Sequence, residues 1–244
     1  LKYVKDAASK IGNALRRKNE WHLVALISTV MPKDTESEII PILEAASGKQ
    51  CGIDFGVCYS PEFIALGSVL QDFLNPDFVL IGESDKKAGT TLSSIYELIC
   101  DTSPVVQRMN LINAELSKLA VNTYVTTKVS FANTIAALCE QVPGADVDAV
   151  TNAVGLDTRI GRRYLTGGAP YGGPCFPRDV AAMICHSRAA GVAPFIYQAT
   201  AEANLQHAKR LVNSCLNQSS DNDIVGILGL AYKSQTNVLE ESTG

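Results

Sequence analysis

With 244 residues, 46% of them hydrophobic and 19% charged, the chain can bury a sizeable core and is expected to form one large domain or two smaller ones. Its net charge of −4, without a basic run, argues against nucleic acid or an anionic membrane surface as the principal partner. Seven cysteines without a Cys-x-x-Cys pair fit a reducing, cytoplasmic setting better than a disulfide framework or a metal site of the structural zinc kind, and the most apolar long stretch, Leu119 to Leu138, carries too much Lys, Asn and Thr to span a bilayer.

Helical spacing of apolar residues predicts a helix over residues 4–17, and His22 to Thr29 is a near-continuous apolar run, as in a central strand covered on both faces. Ser28 and Thr29 then stand at its carboxyl end, where open α/β sheets bind ligands; the same hydroxyls also suit a capping pair for a helix over residues 34–46. Ile53 to Tyr59 reads as a second strand that delivers Ser60-Pro61-Glu62-Phe63 into a loop, which makes Glu62 either a strand-end functional group or a solvated surface acid. Phe78 to Gly82 supplies a third strand and Lys86 to Ile99 a helix. The alternation is that of βαβ units, so the first part is expected to be α/β with a parallel sheet.

The composition changes after Pro104. From Ala114 to Gln141 there is no Gly or Pro, Asn113 suits an N-cap, Glu115 suits the first turn, and Pro143-Gly144 follow: one helix of about 40 Å at 1.5 Å per residue. Lys118 and Asn122 lie four apart on it and share a face, where an ammonium and an amide either address one developing negative charge or are simply solvated. A helix of this length needs partners, and a subunit interface is expected. Further helices are predicted over residues 146–154, 180–190 and 193–216, with His186 and His207 in core or surface roles.

Ahead of the second of these helices, Gly172-Gly173-Pro174-Cys175-Phe176-Pro177-Arg178-Asp179 presents one cysteine on a glycine-led turn with a cation and a carboxylate close behind. Two glycines allow close approach to a ligand, the prolines stiffen the turn, and a neighbouring cation stabilises the thiolate of a nucleophile; the alternative is a plain Gly/Pro loop with a buried cysteine. Asp223 to Leu230 reads as a buried strand opening a new α/β unit, with Tyr232-Lys233 at its carboxyl end. That unit is barely begun at Gly244, so the natural protein is expected to continue.

Taken together, Ser28-Thr29-Val30, Ser60-Pro61-Glu62-Phe63, Ala114-Glu115-Leu116-Ser117-Lys118 with Asn122, Asp157-Thr158-Arg159-Ile160-Gly161, the cysteine octapeptide and Leu228-Gly229-Leu230-Ala231-Tyr232-Lys233 resemble, in order and spacing, the UDP-glucose/GDP-mannose dehydrogenase family. The resemblance implies the second half of a Rossmann-like NAD-binding domain over residues 1–107, a helical central domain over 108–216 that dimerises through the 114–141 helix, and the start of a second Rossmann-like, nucleotide-sugar domain over 217–244. No Gly-x-Gly-x-x-Gly fingerprint is present, and the chain is expected to be a fragment of a longer enzyme.

The activity implied is NAD-dependent oxidation of a nucleotide-sugar C6 alcohol to a carboxylate, for polysaccharide biosynthesis, with a UDP-sugar favoured. By resemblance Cys175 is the nucleophile, Lys118 and Asn122 stabilise oxyanions, Glu62 is a general acid or base, Thr29 positions water, and Asp179 is a base or orienter of water. Phe63, Arg159, Tyr171, Gly172, Gly173 and Lys233 are the implied sugar-nucleotide contacts, and Ser28, Thr29, Val30 and Arg178 the implied NAD contacts. The chain departs from the family pattern where Leu66 replaces an acid, Arg178 a lysine, Pro170 a glycine, Pro174 a serine, and Glu240 an arginine expected near NAD phosphate. Leu66, Pro174 and Glu240 motivate an alternative, a catalytically impaired protein of the same fold that still binds nucleotide sugar or dimerises.

Overall fold

The computed structural model describes residues 1–220 and 223–243, and residues 221, 222 and 244 of the expected C-terminal segment lie outside the described residues. Two units divide the chain, Leu1–Lys118 and Leu119–Gly244.

In the first unit, strands β1 (His22–Leu26), β2 (Phe55–Tyr59), β3 (Phe78–Glu83) and β4 (Val105–Asn110) form one sheet in the order β1-β2-β3-β4. β2 is buried along its whole length, and its alternate side chains serve two faces, as strand geometry requires. Phe55 and Val57 pack with Ala8 and Leu15 of α1 (Lys2–Leu15) and with Leu43 of α2 (Ile40–Ser47). Cys58 packs with Leu92 and Tyr96 of α4 (Lys86–Ile99) on the opposite face. Helices therefore cover both faces of the sheet, which is why its central strand reads as an apolar run. Leu43 is fully buried at the α1–α2 contact, and truncating such a residue to Ala costs about 2–5 kcal/mol.

The expected α/β unit with parallel strand pairs forms, and its sheet is mixed. β1 pairs with β2 and β3 with β4 in parallel, but β2 meets β3 antiparallel through Cys58 with Glu83 and Tyr59 with Gly82. β1 ends at Leu26, so Ser28 and Thr29 already lie in the following loop, and the expected helix over 34–46 is a π-helical turn, Thr35–Ile39, running into α2. β4 and the short α3 (Val69–Leu74) are elements that sequence periodicity does not predict.

Helix α5 (Leu111–Cys139) starts three residues earlier than expected and follows β4 without a break. Asn113 is inside it, and the capping role falls to Asn110, whose Oδ1 accepts the Asn113 N–H at 2.9 Å. The division between the units falls within this helix.

The second unit is helical: α6 (Val147–Gly155), α7 (Phe176–Ala189) and α8 (Phe195–Asn217) join the remainder of α5. The buried side of α5 carries hydroxyls that bond back to their own helix, Thr123 to the Leu119 carbonyl and Thr126 to the Thr123 carbonyl, each at 2.8 Å. Small side chains there allow close approach to α8, where the Thr127 and Thr200 hydroxyls meet at 3.1 Å. The strand expected over 223–230 does not form: Ile224 and Leu228 are 98% and 100% exposed, and no strand among the described residues pairs with the segment. An apolar run becomes a strand only with a ladder partner to satisfy its backbone.

Candidate active site

In the first unit the carboxyl end of the parallel β1–β2 pair carries Ser28, exposed, and Thr29, half-buried, with Val30 buried beside Tyr59 and Leu80. Ser60, just past β2, has a structural role, donating to the Leu80 carbonyl at 2.9 Å and meeting the Tyr96 hydroxyl at 3.0 Å. Glu62 and Phe63 follow, and Phe63 packs on Phe78 with ring centroids 4.8 Å apart. The buried Lys118 ammonium donates to the Glu62 main-chain carbonyl at 2.5 Å and sits 4.3 Å from the Phe63 ring centroid. Burial pushes the Glu62 carboxyl above its usual range, against the opposing Lys118 charge.

In the second unit α7 begins one residue after Cys175, earlier than the sequence suggests, so that Cys175 occupies the N-cap position and is exposed. That excludes the plain reading of a buried structural thiol. Asp179, one turn on, is 1% exposed and accepts from the Asn122 side-chain amide at 2.6 Å and from Arg178 Nε at 3.0 Å. Arg178, expected to contact NAD, is thus engaged by its neighbouring carboxylate.

The two glycines before Cys175 are needed for close approach. A Cβ on Gly172 would stand 2.2 Å from the Glu241 carbonyl oxygen, and one on Gly173, at φ +81°, 2.6 Å from the Tyr232 ring. The Gly173 N–H donates to the Glu241 carbonyl at 3.2 Å. Burial, and then the nearby Cys175 sulfur, pushes the Tyr232 hydroxyl up. Lys233 lies 5.9 Å from the Tyr232 ring centroid, and the exposed Arg159 pairs with Asp157 at 2.6 Å.

Sequence reasoning missed the groups that hold the approach to the cysteine. Asn133 of α5 accepts from the Gly168 N–H at 2.8 Å and donates to the Ala169 carbonyl at 3.3 Å, while His207 of α8 meets the Gly168 carbonyl at 2.7 Å. Asn204 brackets Tyr171, accepting from its N–H at 2.8 Å and donating to its carbonyl at 2.9 Å. Tyr171, its hydroxyl pushed up to about 12 by burial, stacks edge-on against Phe176 at 6.4 Å. The one available sequence signal was the placement of these polar residues on the buried sides of helices.

Residues 1–100 match the model of the UDP-glucose/GDP-mannose dehydrogenase family NAD binding domain, and residues 112–206 match that of the same family's central domain. The chain belongs to the UDP-glucose/GDP-mannose dehydrogenase family. Within that family it is 36% identical over 242 residues to UDP-glucose 6-dehydrogenase AglM of Haloferax volcanii, covering 98% of this chain and 56% of the relative. It is 33% identical over 244 residues to GDP-mannose 6-dehydrogenase of Azotobacter vinelandii, covering 99% of this chain and 55% of the relative. Among solved structures, a UDP-glucose dehydrogenase from Pyrobaculum islandicum superimposes with a TM-score of 0.89 at 36% identity, over 100% of this chain and 55% of that one. The chain thus spans a little over half the length of these relatives.

NAD is the cofactor of this family's first domain. The residues present fit part of it: Ser28 and Thr29 offer hydroxyls just beyond the carboxyl end of a parallel strand pair, the edge at which doubly wound sheets take a dinucleotide.

Proposed function

We propose that the protein oxidises the C6 alcohol of a nucleotide sugar to a carboxylate in two NAD-dependent steps, with a UDP-sugar as substrate. The observation that carries this reading is the exposed Cys175 at the start of α7, one turn ahead of a buried Asp179 bonded to Asn122. NAD supplies the hydride acceptor, one molecule for each two-electron oxidation.

The Cys175 thiolate attacks the aldehyde carbon formed by the first oxidation, its sulfur forming a new bond as the carbonyl electrons move to oxygen, and the thiohemiacetal keeps the reactive aldehyde from escaping. By resemblance, Asn122 and Lys118 are assigned the stabilisation of that oxyanion. The second oxidation leaves a thioester; water adds to its carbonyl carbon, the C–S bond breaks, and the carboxylate departs with the thiol restored. Glu62, its carboxyl raised by burial, is assigned proton transfer in this hydrolysis, Thr29 the positioning of water, and Asp179, held by Asn122, the role of base or orienter of water.

Phe63, Arg159, Tyr171, Gly172, Gly173 and Lys233 are assigned to the sugar nucleotide, and Ser28, Thr29 and Val30 to NAD. Arg178 is assigned to the support of Asp179. Residues 1–107, 108–216 and 217–244 are read as NAD, central and incipient sugar-nucleotide segments. A homodimer through α5 is supported by the exposed Tyr124, Phe131 and Leu138, spaced seven apart along one side of the helix. Seven free thiols support a cytoplasmic setting; among the described residues no helix is long and apolar enough to cross a membrane.

The test is NADH formed per sugar consumed by the full-length protein, with UDP-glucose, UDP-N-acetylglucosamine, UDP-N-acetylmannosamine and GDP-mannose. Two NADH per sugar on a UDP-sugar, and no acid from the Cys175→Ala variant, are expected. Binding of a nucleotide sugar without any NADH would instead favour the impaired protein suggested by Leu66, Pro174 and Glu240.

A further inference from the structure

Glu115, in the first turns of α5, is 0% exposed, a burial that a carboxylate tolerates only with partners. It has three donors: Lys33 N–H at 2.6 Å, Thr35 N–H at 2.9 Å and Thr35 Oγ1 at 2.6 Å. All belong to the segment that leaves β1 just past Ser28-Thr29-Val30.

That segment departs from easy backbone geometry twice. Lys33 has φ +81°, a left-handed conformation that L side chains avoid, and the chain then enters a π-helical turn, a rare form that recurs at functional sites. Asp34 between the donors is right-handed. A left-handed residue followed by a right-handed one turns its neighbouring amides toward a common centre, the concave arrangement in which backbone N–H groups bind anions. Here the anion is supplied by the protein itself. Strained conformations persist where their surroundings over-determine them, and the Glu115 carboxylate supplies that constraint.

Lys118, three residues further along α5, ties down the second strand-end loop through the Glu62 carbonyl at 2.5 Å. The first turns of α5 therefore fasten the loops following both β1 and β2.

We propose that Glu115 is a positioning residue: its carboxylate, seated among the amides of Lys33 and Thr35, holds the loop after Thr29 against α5 and so fixes Thr29 relative to Lys118. This rests on the reading of Thr29 as a group on the cofactor side of the site. Glu115 itself touches neither cofactor nor substrate in this role.

The test uses the full-length protein and the variant Glu115→Gln, which keeps the side-chain shape but cannot accept from both Thr35 and Lys33. Two quantities are read: amide hydrogen exchange over residues 30–40 and the dissociation constant for NAD. Loss of one hydrogen bond to a buried charge is expected to speed exchange at Lys33 and Thr35 and to weaken NAD binding, each by about tenfold. Adding Lys33→Gly removes the left-handed penalty, and in the Glu115→Gln background it is expected to recover most of the NAD affinity. Loss of packing alone would lower the melting temperature without such recovery.

Unchanged exchange in Glu115→Gln overturns the proposal, as does faster exchange with unchanged NAD affinity. Should Glu115→Gln fail to fold, Thr35→Val removes one of the three donors and is expected to give a shift of about threefold in the same two readings; no shift in either overturns it. If the wild-type protein binds no NAD, the functional reading fails, while the exchange data still decide whether Glu115 holds the loop.

Discussion

The Asn122 amide and the Asp179 carboxylate meet at 2.6 Å in the interior of the second unit, linking α5 to the first turn of α7 directly behind Cys175. Asp179→Asn leaves one acceptor oxygen for two donors and puts an NH2 group where Arg178 or Asn122 donates. It is expected to lower stability by about 1–3 kcal/mol, the cost of a buried polar group left without its partner. A urea midpoint indistinguishable from wild type would refute this. Asn122→Asp faces two carboxylates at the same distance and is expected to be tolerated better at pH 4 than at pH 7.

The thiols are expected to separate into kinetic classes. Cys175, Cys185 and Cys215 are exposed, whereas Cys58 is fully buried in β2, its thiol pushed up to about 12 by burial and then by the carboxylates of Glu83 and Asp85. A pulse of iodoacetamide at pH 8, read by mass spectrometry of peptides, is expected to label the exposed three early and Cys58 only on unfolding. Labelling of Cys58 alongside Cys175 would contradict its placement.

Stability is expected to fall on the alkaline side. Cys58 moves from 9.0 to about 12 and Tyr171 from 10.0 to about 12, both chiefly by burial, so above pH 9 the unfolded chain loses protons that the folded chain retains. The folded state then binds more protons than the unfolded one, and stability decreases with pH up to about 12. Melting temperatures from pH 8 to 11 check this. Cys58→Ala is expected to flatten the curve from pH 9 upward, leaving above pH 10 a shallower fall to which Tyr171 contributes.

Phe131→Asp places a charge in the exposed Tyr124–Phe131–Leu138 row without disturbing a buried group. If α5 forms the subunit contact, this variant is expected to sediment as a monomer at micromolar concentration where wild type sediments as a dimer. Identical sedimentation of the two would remove α5 from the interface.

The doubly covered sheet was legible because β2 buries both of its faces and its residues are apolar throughout, whereas β4 escaped notice because Gln107, Arg108 and Asn110 break the apolar pattern of a half-exposed strand. The antiparallel meeting of β2 and β3 depends on where the 60–77 connection goes, which no local propensity encodes. Residues 223–230 show the converse, an apolar run that stays irregular and exposed because composition cannot supply a partner strand. Cys175, Asp179 and Asn122 were legible as a motif, but Glu115 passed as a first-turn acid since its donors lie about 80 residues away, at Lys33 and Thr35.

The hydroxyls along α5 have a consequence for how this helix can change over generations. Thr123 and Thr126 give their protons to carbonyls of their own helix, so exchanging either for valine strands no group elsewhere among the described residues. Asn122 and Asn133, on the same helix, hold partners in distant segments and have no such freedom. Mutational drift is therefore expected to move through the threonines, leaving the asparagines as fixed points of the helix.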